Sequence, residues 1–491
     1  DIQLAGLFKD SKSFVDLKLK VPEEELLVEF DALKERSNGT LSKDQISQFV
    51  QDHFEQGREL ESWAPPDFTE NPSILKKNRD SQYRVWAQEL NMIWRTLARK
   101  VKEDVREHPD LYSQIYLPNG LVVPGGRFKE IYYWDTYWIV YGLLVCDMHD
   151  TARGMIENLL SLVARFGYVP NGSRKYYFMR SQPPLLIPMA DAYLRFNQTQ
   201  GMKLIEDYFE VTHFTTRSKG PRPESYKEDY ELAEHFPEQW QRDVFYNQIK
   251  TAAETGWDFS SRHINKDGTN EGNLTNTLTE SIVQVDLNAL LEQNILWNEE
   301  EGIWFDYDLL YKKQRKYFYA SNFAPLWTKS YRRSRVEVGD LAVQYLSRNG
   351  LIDPFWMPQF WGMPMSLLNT TQQWDYPNMW APLQSFFIFG LDQTDSTMAQ
   401  RVAKRFAANY AQTNFVGYKK TGKMFEKYSA IHEGESGNGG EYEVQEGFGW
   451  SNGVIFQILE KYGQVLMSGA GRGGSIEYRT HLKITSFSPV Y

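Results

Sequence analysis

The amino-acid sequence predicts a mostly α-helical protein, and three observations lead to that prediction. Apolar residues recur at the three- and four-residue spacing of amphipathic helices over much of the chain. Turn signals of the kind that close β-hairpins are few, and long alternating strands are scarce. Neither a low-complexity linker nor a repeat of fixed period divides the 491 residues. The functional residues are therefore expected on long loops between helices.

Apolar stripes locate several of these helices. One stripe of residues at spacings of four and three would share a single helix face. Its members are Trp86, Leu90, Ile93, Leu97 and Val101. Similar stripes predict helices over 336–346 and 455–462.

Polar residues and glycines mark the ends of two further helices. Asp150 is placed to cap a helix that stops at Gly167, because an Asp side chain accepts from free N–H groups and glycine ends helices readily. Asp395 is placed to cap another helix, whose apolar face includes Val402 and Phe406.

The first part of the chain differs from the rest in composition. Residues 1–75 are rich in charge, and Pro65 and Pro66 stand near the end of this stretch. We expect residues 1–75 to form an N-terminal arm that packs on one large domain spanning 76–491.

Charge and composition exclude several classes of protein. The chain has 54 Lys and Arg against 64 Asp and Glu, a net charge of −10, whereas a nucleic-acid binder needs a basic face. No segment reaches the roughly 18 apolar residues that a membrane span needs. Cys146 is the single cysteine, which rules out an internal disulfide and predicts a buried apolar environment for its thiol. The His residues lack the H-E-x-x-H spacing of a zinc site, so no metal or other cofactor is expected.

Asn-x-Ser/Thr sequons favour a protein of the secretory route. They occur at Asn38, Asn171, Asn197, Asn273 and Asn369. The sequence therefore indicates an extracellular location, either as a secreted protein or as the extracellular part of a membrane-attached form.

Carboxylates, arginines, amides and tryptophans are concentrated in six segments. These segments are 124–138, 171–184, 221–225, 254–262, 372–382 and 425–450. Five of them have a plain structural alternative: an Arg–Asp pair at a helix entry for the first, loop capping for 171–184, a surface ion pair for 221–225, a helix N-cap for Asp258 and an aromatic-rich turn for 372–382. Trp-Asp recurs at 134–135, 257–258 and 374–375, and Trp257 is expected to shield Asp258 from water and so raise its pKa.

The residue types favour carboxylate acid/base chemistry on a polyhydroxylated substrate. A G-x-S-x-G nucleophile motif is absent from the sequence, and Cys146 has no activating neighbours along the chain. Paired carboxylates beside aromatic rings and hydroxyl-binding side chains are typical of glycoside hydrolysis.

Two of these segments resemble the signature motifs of a known family, the α,α-trehalases of glycoside hydrolase family 37. The two segments are 124–138 and 373–382, and 437–453 and 10–16 resemble further conserved regions of that family. Altogether the resemblance covers roughly residues 80–465. It implies an all-α fold, an (α/α)6 barrel with an N-terminal arm, and hydrolysis of α,α-trehalose to two glucose molecules with inversion.

The resemblance also implies roles for individual residues. Asp258 matches the family's general acid and Glu426 its general base. The matched substrate-binding positions are Arg127, Trp134, Asp135, Asn171, Arg180, Ser181, Gln182, Arg222, Glu224, Gly256 and Glu441. The arginines are expected to help keep Glu426 ionised, and electrostatics to separate the pKa values of the two catalytic carboxyls. Trp257 and Trp374 are expected to join Trp134 in the pocket.

Two alternatives to an active trehalase remain at this stage. The first is that the chain is another inverting α-glycosidase on the same barrel. The second is that it is a trehalose-binding protein without turnover. Asn171 is both a sequon and a matched sugar-binding position, so we expect it to carry no glycan. N-glycans are expected instead at Asn38, Asn197, Asn273 and Asn369.

Overall fold

The computed structural model describes residues 1–197, 214–216, 218, 220–290 and 296–469, and α-helices dominate these residues. The helices are α1 (Ser11–Val15), α2 (Glu23–Arg36), α3 (Lys43–His53), α4 (Ile74–Lys77), α5 (Ser81–Leu97), α6 (Glu103–Glu107), α7 (Asp135–Val145), α8 (His149–Phe166), α9 (Leu186–Asn197), α10 (Tyr226–Ala233), α11 (Gln239–Glu254), α12 (Val285–Leu290), α13 (Ala324–Thr328), α14 (Arg335–Arg348), α15 (Ala381–Asp392), α16 (Thr397–Thr421) and α17 (Gly449–Tyr462). The mostly helical prediction is confirmed.

In the part of the chain that the structure describes, the strands are short and pair as small antiparallel ribbons. They are β1 (Leu17–Leu19), β2 (Phe54–Gln56), β3 (Leu60–Ser62), β4 (Ala98–Val101), β5 (Leu121–Val122), β6 (Ile282–Val283), β7 (Trp297–Asn298), β8 (Ile303–Trp304), β9 (Tyr307–Asp308), β10 (Lys313–Gln314), β11 (Asn378–Trp380) and β12 (Lys427–Ser429). The ribbons are β1–β2, β3–β4–β5, β10–β9–β6, β7–β8 and β11–β12. The last ribbon matters for the site, because it sets Trp380 opposite Lys427 and so brings the 372–382 segment beside Glu426.

Inner helices contact one another around a common core, and outer helices pack on them. In the inner layer α7 packs on α9 and α17, α15 on α13 and α17, and α13 on α12. Among the outer helices, α8 packs on α7 and α9, α16 on α15 and α17, and α5 on α17. Helix α7 is apolar and buried on nearly all sides, as expected for a helix with protein on every face.

A glycine permits the close packing of the two helices that enter this core together. A Cβ atom added at Gly453 on α17 would lie 2.1 Å from the carbonyl oxygen of Trp138 on α7, so a larger residue there would force the helices apart. Both helices begin beside the cavity described below, and their close contact fixes Trp134 and Trp450 at the start of each.

Helix ends depart from the sequence expectation in three places. Gly167 does end α8 in the left-handed region with φ of 84°, but Asp150 lies in the first turn and Met148 holds the cap position. Ser396, not Asp395, caps α16, because its side chain accepts from the N–H of Ala399. Val101 belongs to β4, since the chain turns extended after Leu97 and pairs with β3 and β5.

The N-terminal residues reach the centre of the protein through buried ion pairs. The Nζ of Lys12 lies 2.6 Å from Asp16 and 2.8 Å from Glu130, and Arg174 joins Glu130 at 3.3 Å. Burial alone would raise the pKa of Glu130, but the charges of Lys12 and Arg174 outweigh it and lower that pKa to about 2. Helix α1 is therefore tied to the loop that precedes α7.

Cys146 is wholly buried directly after α7, as the sequence predicted. Burial raises the pKa of its thiol above the ordinary value. Among the described residues, no helix combines the length and the apolar character that crossing a membrane requires.

Candidate active site

One cavity gathers the predicted site residues from segments that are far apart in the chain. It contains about 690 Å³ of empty space, a figure that includes the open solvent at its mouth. The predicted residues on its wall are Arg127, Trp134, Asp135, Asn171, Arg180, Gln182, Arg222, Glu224, Gly256, Asp258, Glu426 and Glu441. The structure thus brings together every predicted site residue except Ser181.

Ser181 turns its side chain away from the cavity. Its hydroxyl donates to the carbonyl oxygen of Val169 at 2.7 Å, and its backbone N–H donates to the carboxylate of Glu254 at 3.1 Å. Both bonds hold the loop that carries Arg180 and Gln182, so Ser181 shapes the wall from behind.

Tryptophan rings form one side of the cavity. Trp374 stacks on Trp380 with centroids 4.0 Å apart, and Trp134 lies 5.7 Å from both Trp374 and Trp450. These flat apolar faces suit the C–H faces of a sugar ring. All four rings line the cavity.

The expectation that Trp257 belongs to the pocket is wrong. Its ring lies behind the wall, 5.4 Å from the Trp374 ring and 4.7 Å from the guanidinium carbon of Arg262. Arg262 in turn forms hydrogen bonds of 2.8–2.9 Å with both Asp286 and Asp306. Trp257 therefore supports the segment that carries Asp258 without facing a ligand.

Several residues of the cavity wall were not predicted from the sequence. They include Lys12, Tyr132, Tyr177, Trp380, Tyr442 and Trp450. Trp380 lies within the 372–382 segment and Trp450 ends the glycine-rich one, so the density of aromatics around those motifs was an available signal. Lys12 lies within residues 10–16, whose resemblance to the family's N-terminal region was the available signal for it.

Asp258 is held by backbone contacts with the 372–382 segment. The side-chain amide of Gln373 donates to the Asp258 carbonyl oxygen at 2.5 Å, and the N–H of Trp374 donates to the carbonyl oxygen of Phe259 at 3.1 Å. Asp258 does not cap the following 3₁₀ turn, since Ser260 does so through the N–H of Arg262. The helix-cap alternative for Asp258 therefore fails.

Glycine at position 256 is required by the neighbouring aromatic wall. Its φ of 80° lies in the left-handed region, and a Cβ there would lie 2.8 Å from the Trp134 ring. Gly256 thus lets the chain that leads to Asp258 pass directly beside Trp134.

Burial raises the pKa of Asp258 to about 7. Arg222 and Arg180 oppose this shift and Glu441 adds to it, but loss of water dominates. The pKa of Asp135 is also raised well above its ordinary value, mainly by burial and further by the charges of Glu426 and Asp258.

Glu426 is oriented by the glycine-rich segment. One carboxylate oxygen accepts from the Tyr442 hydroxyl at 2.9 Å and the other from the N–H of Gln445 at 3.2 Å. The indole N–H of Trp450 donates to the Glu426 carbonyl oxygen at 2.9 Å. These bonds fix both the backbone and the carboxylate plane.

Arg127 lowers the pKa of Glu426, as expected, but the net shift of this pKa is upward. Burial raises this pKa, and the lowering effects of Lys427 and Arg127 do not overcome it. Burial is the largest influence on this pKa, and Arg127 opposes it only weakly. The Arg127 guanidinium donates to both carboxylate oxygens of Asp10 at 2.8 and 2.7 Å. The Arg–Asp alternative for the 124–138 segment also fails, since this partner lies in the N-terminal arm.

Two further arginines complete the wall as buried ion pairs. Arg222 binds Asp229 at 2.7 Å and Glu441 at 2.8 Å, and Arg180 binds Glu224 at 2.5 Å. Because Arg222 is only 2% exposed, the surface-pair alternative for 221–225 fails. Burial raises the pKa of Glu224, but Arg180 and Arg222 outweigh it and the net shift is downward.

A group that could bind a cation lies outside the cavity. Among the described residues, the side chains of Asp104, Glu107 and His108 meet on the surface around α6. The ammonium group of Lys18 already donates to the carboxylate of Asp104 at 3.1 Å, so this cation is bound where a metal ion would bind.

Comparison with known proteins places this geometry in a family. A sequence model of the trehalase family matches residues 6–216, 206–295 and 292–463. The chain belongs to the trehalase family. The resemblance found from the sequence motifs is therefore confirmed.

Relatives support the same membership over nearly the whole chain. A trehalase of Apis mellifera is 43% identical over 95% of this chain and 83% of that protein. A trehalase of Homo sapiens is 40% identical over 96% of this chain and 89% of that protein. The neutral trehalase Nth1 from Saccharomyces cerevisiae shares the fold with a TM-score of 0.55, at 20% identity over 74% of this chain and 80% of that one. The predicted (α/α)6 barrel of this family is confirmed.

Replacing Asp258 by Asn is expected to stabilise the fold above neutral pH. The ordinary pKa of an Asp side chain is 3.8, whereas burial raises that of Asp258 to about 7. The native state therefore holds this proton more tightly than the unfolded chain, and the stability of the wild type falls as pH rises between these values. At about pH 8 the variant should exceed the wild type by up to about 4 kcal/mol in free energy of unfolding.

Urea unfolding at about pH 4, 6 and 8 measures this difference. The difference in free energy of unfolding between Asp258→Asn and wild type should shrink towards pH 4, where Asp258 in the native state is as neutral as Asn. Asp31→Asn, at an exposed carboxylate on α2, is the matched control and should leave the pH dependence unchanged. If the variant is no more stable than the wild type at about pH 8, the raised pKa of Asp258 in the native state is contradicted.

Proposed function

We propose that this protein hydrolyses α,α-trehalose to two glucose molecules by an inverting general acid/general base mechanism. One observation carries the proposal: Asp258 and Glu426, from segments far apart in the chain, both line one small cavity walled by tryptophans, arginines and amides. Membership of the trehalase family supports the substrate.

Asp258 acts as the general acid. With a pKa of about 7, a large fraction of its carboxyl groups carries a proton at neutral pH. That proton passes to the glycosidic oxygen as its bond to the anomeric carbon breaks, and one glucose leaves as an alcohol.

Glu426 acts as the general base. Tyr442 and the backbone of Gln445 orient its carboxylate, which takes a proton from a water molecule as the water oxygen bonds to the anomeric carbon. Attack on the face opposite the leaving group inverts that carbon, and inverting enzymes separate the two carboxyls by about 6.5–9.5 Å to admit the water. Proton exchange with solvent restores both groups.

The other wall residues would bind the sugar hydroxyls. Asn171, Gln182 and the arginines supply donors, and Asp135, Glu224 and Glu441 supply acceptors. The Trp134 ring offers a flat apolar face to a glucose ring. Buried ion pairs already order the arginines, so little side-chain entropy is lost on binding.

We also propose the role and the setting of the whole chain. Residues 1–75 act as an arm on the catalytic domain 76–491, and the protein works outside the cell, either secreted or attached to a membrane. Lys12 and Asp10 support the first proposal through their bonds to Glu130 and Arg127. The exposed sequons at Asn38, Asn273 and Asn369 support the proposed location outside the cell.

Loss of either carboxyl should abolish turnover while leaving the fold intact. Asp258→Asn and Glu426→Gln are each expected to lower glucose release from trehalose by at least about 10²–10⁴-fold, the usual contribution of one acid or base. Circular dichroism verifies folding. Glu443→Gln, an exposed carboxylate on the glycine-rich segment, is the matched control and should retain activity.

The products and substrate range distinguish the alternatives. Proton NMR of the first turnovers should detect equal amounts of α- and β-glucose, as inversion of one of two α centres requires; α-glucose alone would refute inversion. Faster hydrolysis of maltose would favour another α-glycosidase, and calorimetric binding of trehalose without release of glucose would favour a non-catalytic binder.

The pH profile of kcat/KM should be bell-shaped. Activity falls as pH rises through about 7, because Asp258 loses the proton it must donate. It also falls on acidification, because Glu426 becomes protonated, and this acidic limb should lie above the ordinary Glu value because burial raises the pKa of Glu426. Initial rates from about pH 4 to pH 9 test this. A basic limb near 8 instead would indicate Lys427, whose pKa burial lowers to about 8.

Glycosylation should follow exposure of the sequons. Asn38, Asn273 and Asn369 are exposed and are expected to carry glycans, while the side chain of Asn197 lies outside the described residues. Asn171 is 3% exposed and accepts a hydrogen bond from Arg180 at 3.2 Å, so it should be unmodified. Glycopeptide mass spectrometry of active protein from a eukaryotic host checks this, and a glycan on Asn171 would contradict it.

A further inference from the structure

We propose that the N-terminal arm completes the catalytic site, with Asp10 as the positioning residue for Arg127. This inference rests on the proposed function, since it assigns a role in binding and ionisation at the same cavity. Arg127 lines the cavity, and Asp10 lies at its mouth 117 residues earlier in the chain.

The contact between the two residues is a bidentate pair. Arg127 donates from Nε at 2.8 Å and from Nη2 at 2.7 Å to the two carboxylate oxygens of Asp10. Such a fork fixes the plane of the guanidinium group as well as its position. Among the described residues, no protein acceptor binds the remaining Nη1, and since Arg127 lines the cavity, this group is available to a ligand hydroxyl.

Asp10 is itself held rigidly. One of its carboxylate oxygens also accepts from the N–H of Lys12 at 2.9 Å, which caps the short helix α1. Lys12 lines the cavity and is anchored by Glu130 and Asp16, so the turn that carries Asp10 is fixed on both sides. The arm therefore presents a fixed carboxylate to Arg127.

A third set of contacts joins the arm to the opposite wall. The side-chain amide of Gln3 donates to the carbonyl oxygen of Pro223 at 3.1 Å, and the Ser11 hydroxyl accepts from the N–H of Lys227 at 3.3 Å. These contacts flank the turn Pro223–Ser225, which contains Glu224. Displacement of the arm would thus loosen two walls at once.

Asp10 acts on the proposed base through Arg127. The guanidinium carbon of Arg127 lies 4.7 Å from the ring centroid of Tyr442, whose hydroxyl donates to Glu426. The charge of Arg127 lowers the pKa of Glu426, and the carboxylate of Asp10 offsets that charge. Loss of the Asp10 charge should therefore lower the pKa of Glu426. A contact with a structural role alone would not produce this effect.

The test compares Asp10→Asn and Asp10→Glu in the full chain. Asn keeps the size of the side chain and removes its charge; the expected result is a rise in KM for trehalose of about tenfold and a shift of the acidic limb of kcat/KM to lower pH. Asp10→Glu restores the charge and should recover part of both effects. Asp31→Asn on α2, an exposed carboxylate in the same arm, is the control and should change neither.

Several outcomes would overturn the inference. An Asp10→Asn variant with the wild-type KM and the wild-type acidic limb would do so. A loss of activity that matches a loss of folded protein by circular dichroism, with KM and the limb unchanged in the folded fraction, would reduce Asp10 to a structural contact.

A binding measurement separates this inference from the proposed function. Trehalose binding should be measured by calorimetry with Asp258→Asn and with the double variant Asp258→Asn/Asp10→Asn. The Kd of the double variant should be about tenfold higher. If the wild type released no glucose but this difference held, the proposed hydrolysis would fail and the role of Asp10 would stand. Equal Kd values would overturn the role of Asp10 whatever the turnover.

Discussion

Burial of charge governs the construction of this cavity. Asp258, Asp135 and Glu426 line a small cavity walled by tryptophans, where an ionised carboxylate is costly. The neighbouring arginines cannot compensate freely, because each is already paired: Arg222 with Asp229 and Glu441, Arg180 with Glu224. Burial is the largest influence on all three carboxyls, and their pKa values rise even where arginines oppose it.

Rigid backing keeps this arrangement in place. The stacked rings of Trp374 and Trp380 are held from behind by Trp257, which rests on the doubly bridged Arg262. On the other side Gly453 lets α17 approach α7 closely, which fixes Trp134 and Trp450 at the helix starts. Geometry at the reacting atoms therefore depends on packing several residues away, as preorganised sites require.

Local sequence patterns predicted the helices and most of the candidate wall, because both depend on short spacings and on motif-rich segments. They did not predict contacts made across the fold. The pairing of Arg127 with Asp10 joins positions 117 residues apart, and the outward turn of Ser181 depends on Val169 and Glu254. Because these partners set the local field, the direction of the pKa shift at Glu426 was also beyond the reach of sequence spacing. Helix ends were misplaced for a simpler reason: adjacent Asp395 and Ser396 are both good caps, and only the backbone decides between them.

Cys146 has a consequence for how the protein can be handled. The only thiol of the chain lies wholly buried after α7, and burial raises its pKa, so little thiolate forms and little of it is accessible. No covalent cross-link within the chain has to form during folding, and none can be reduced afterwards. None of the stability of the fold therefore comes from an internal disulfide, and a reducing expression host can supply the chain without losing one.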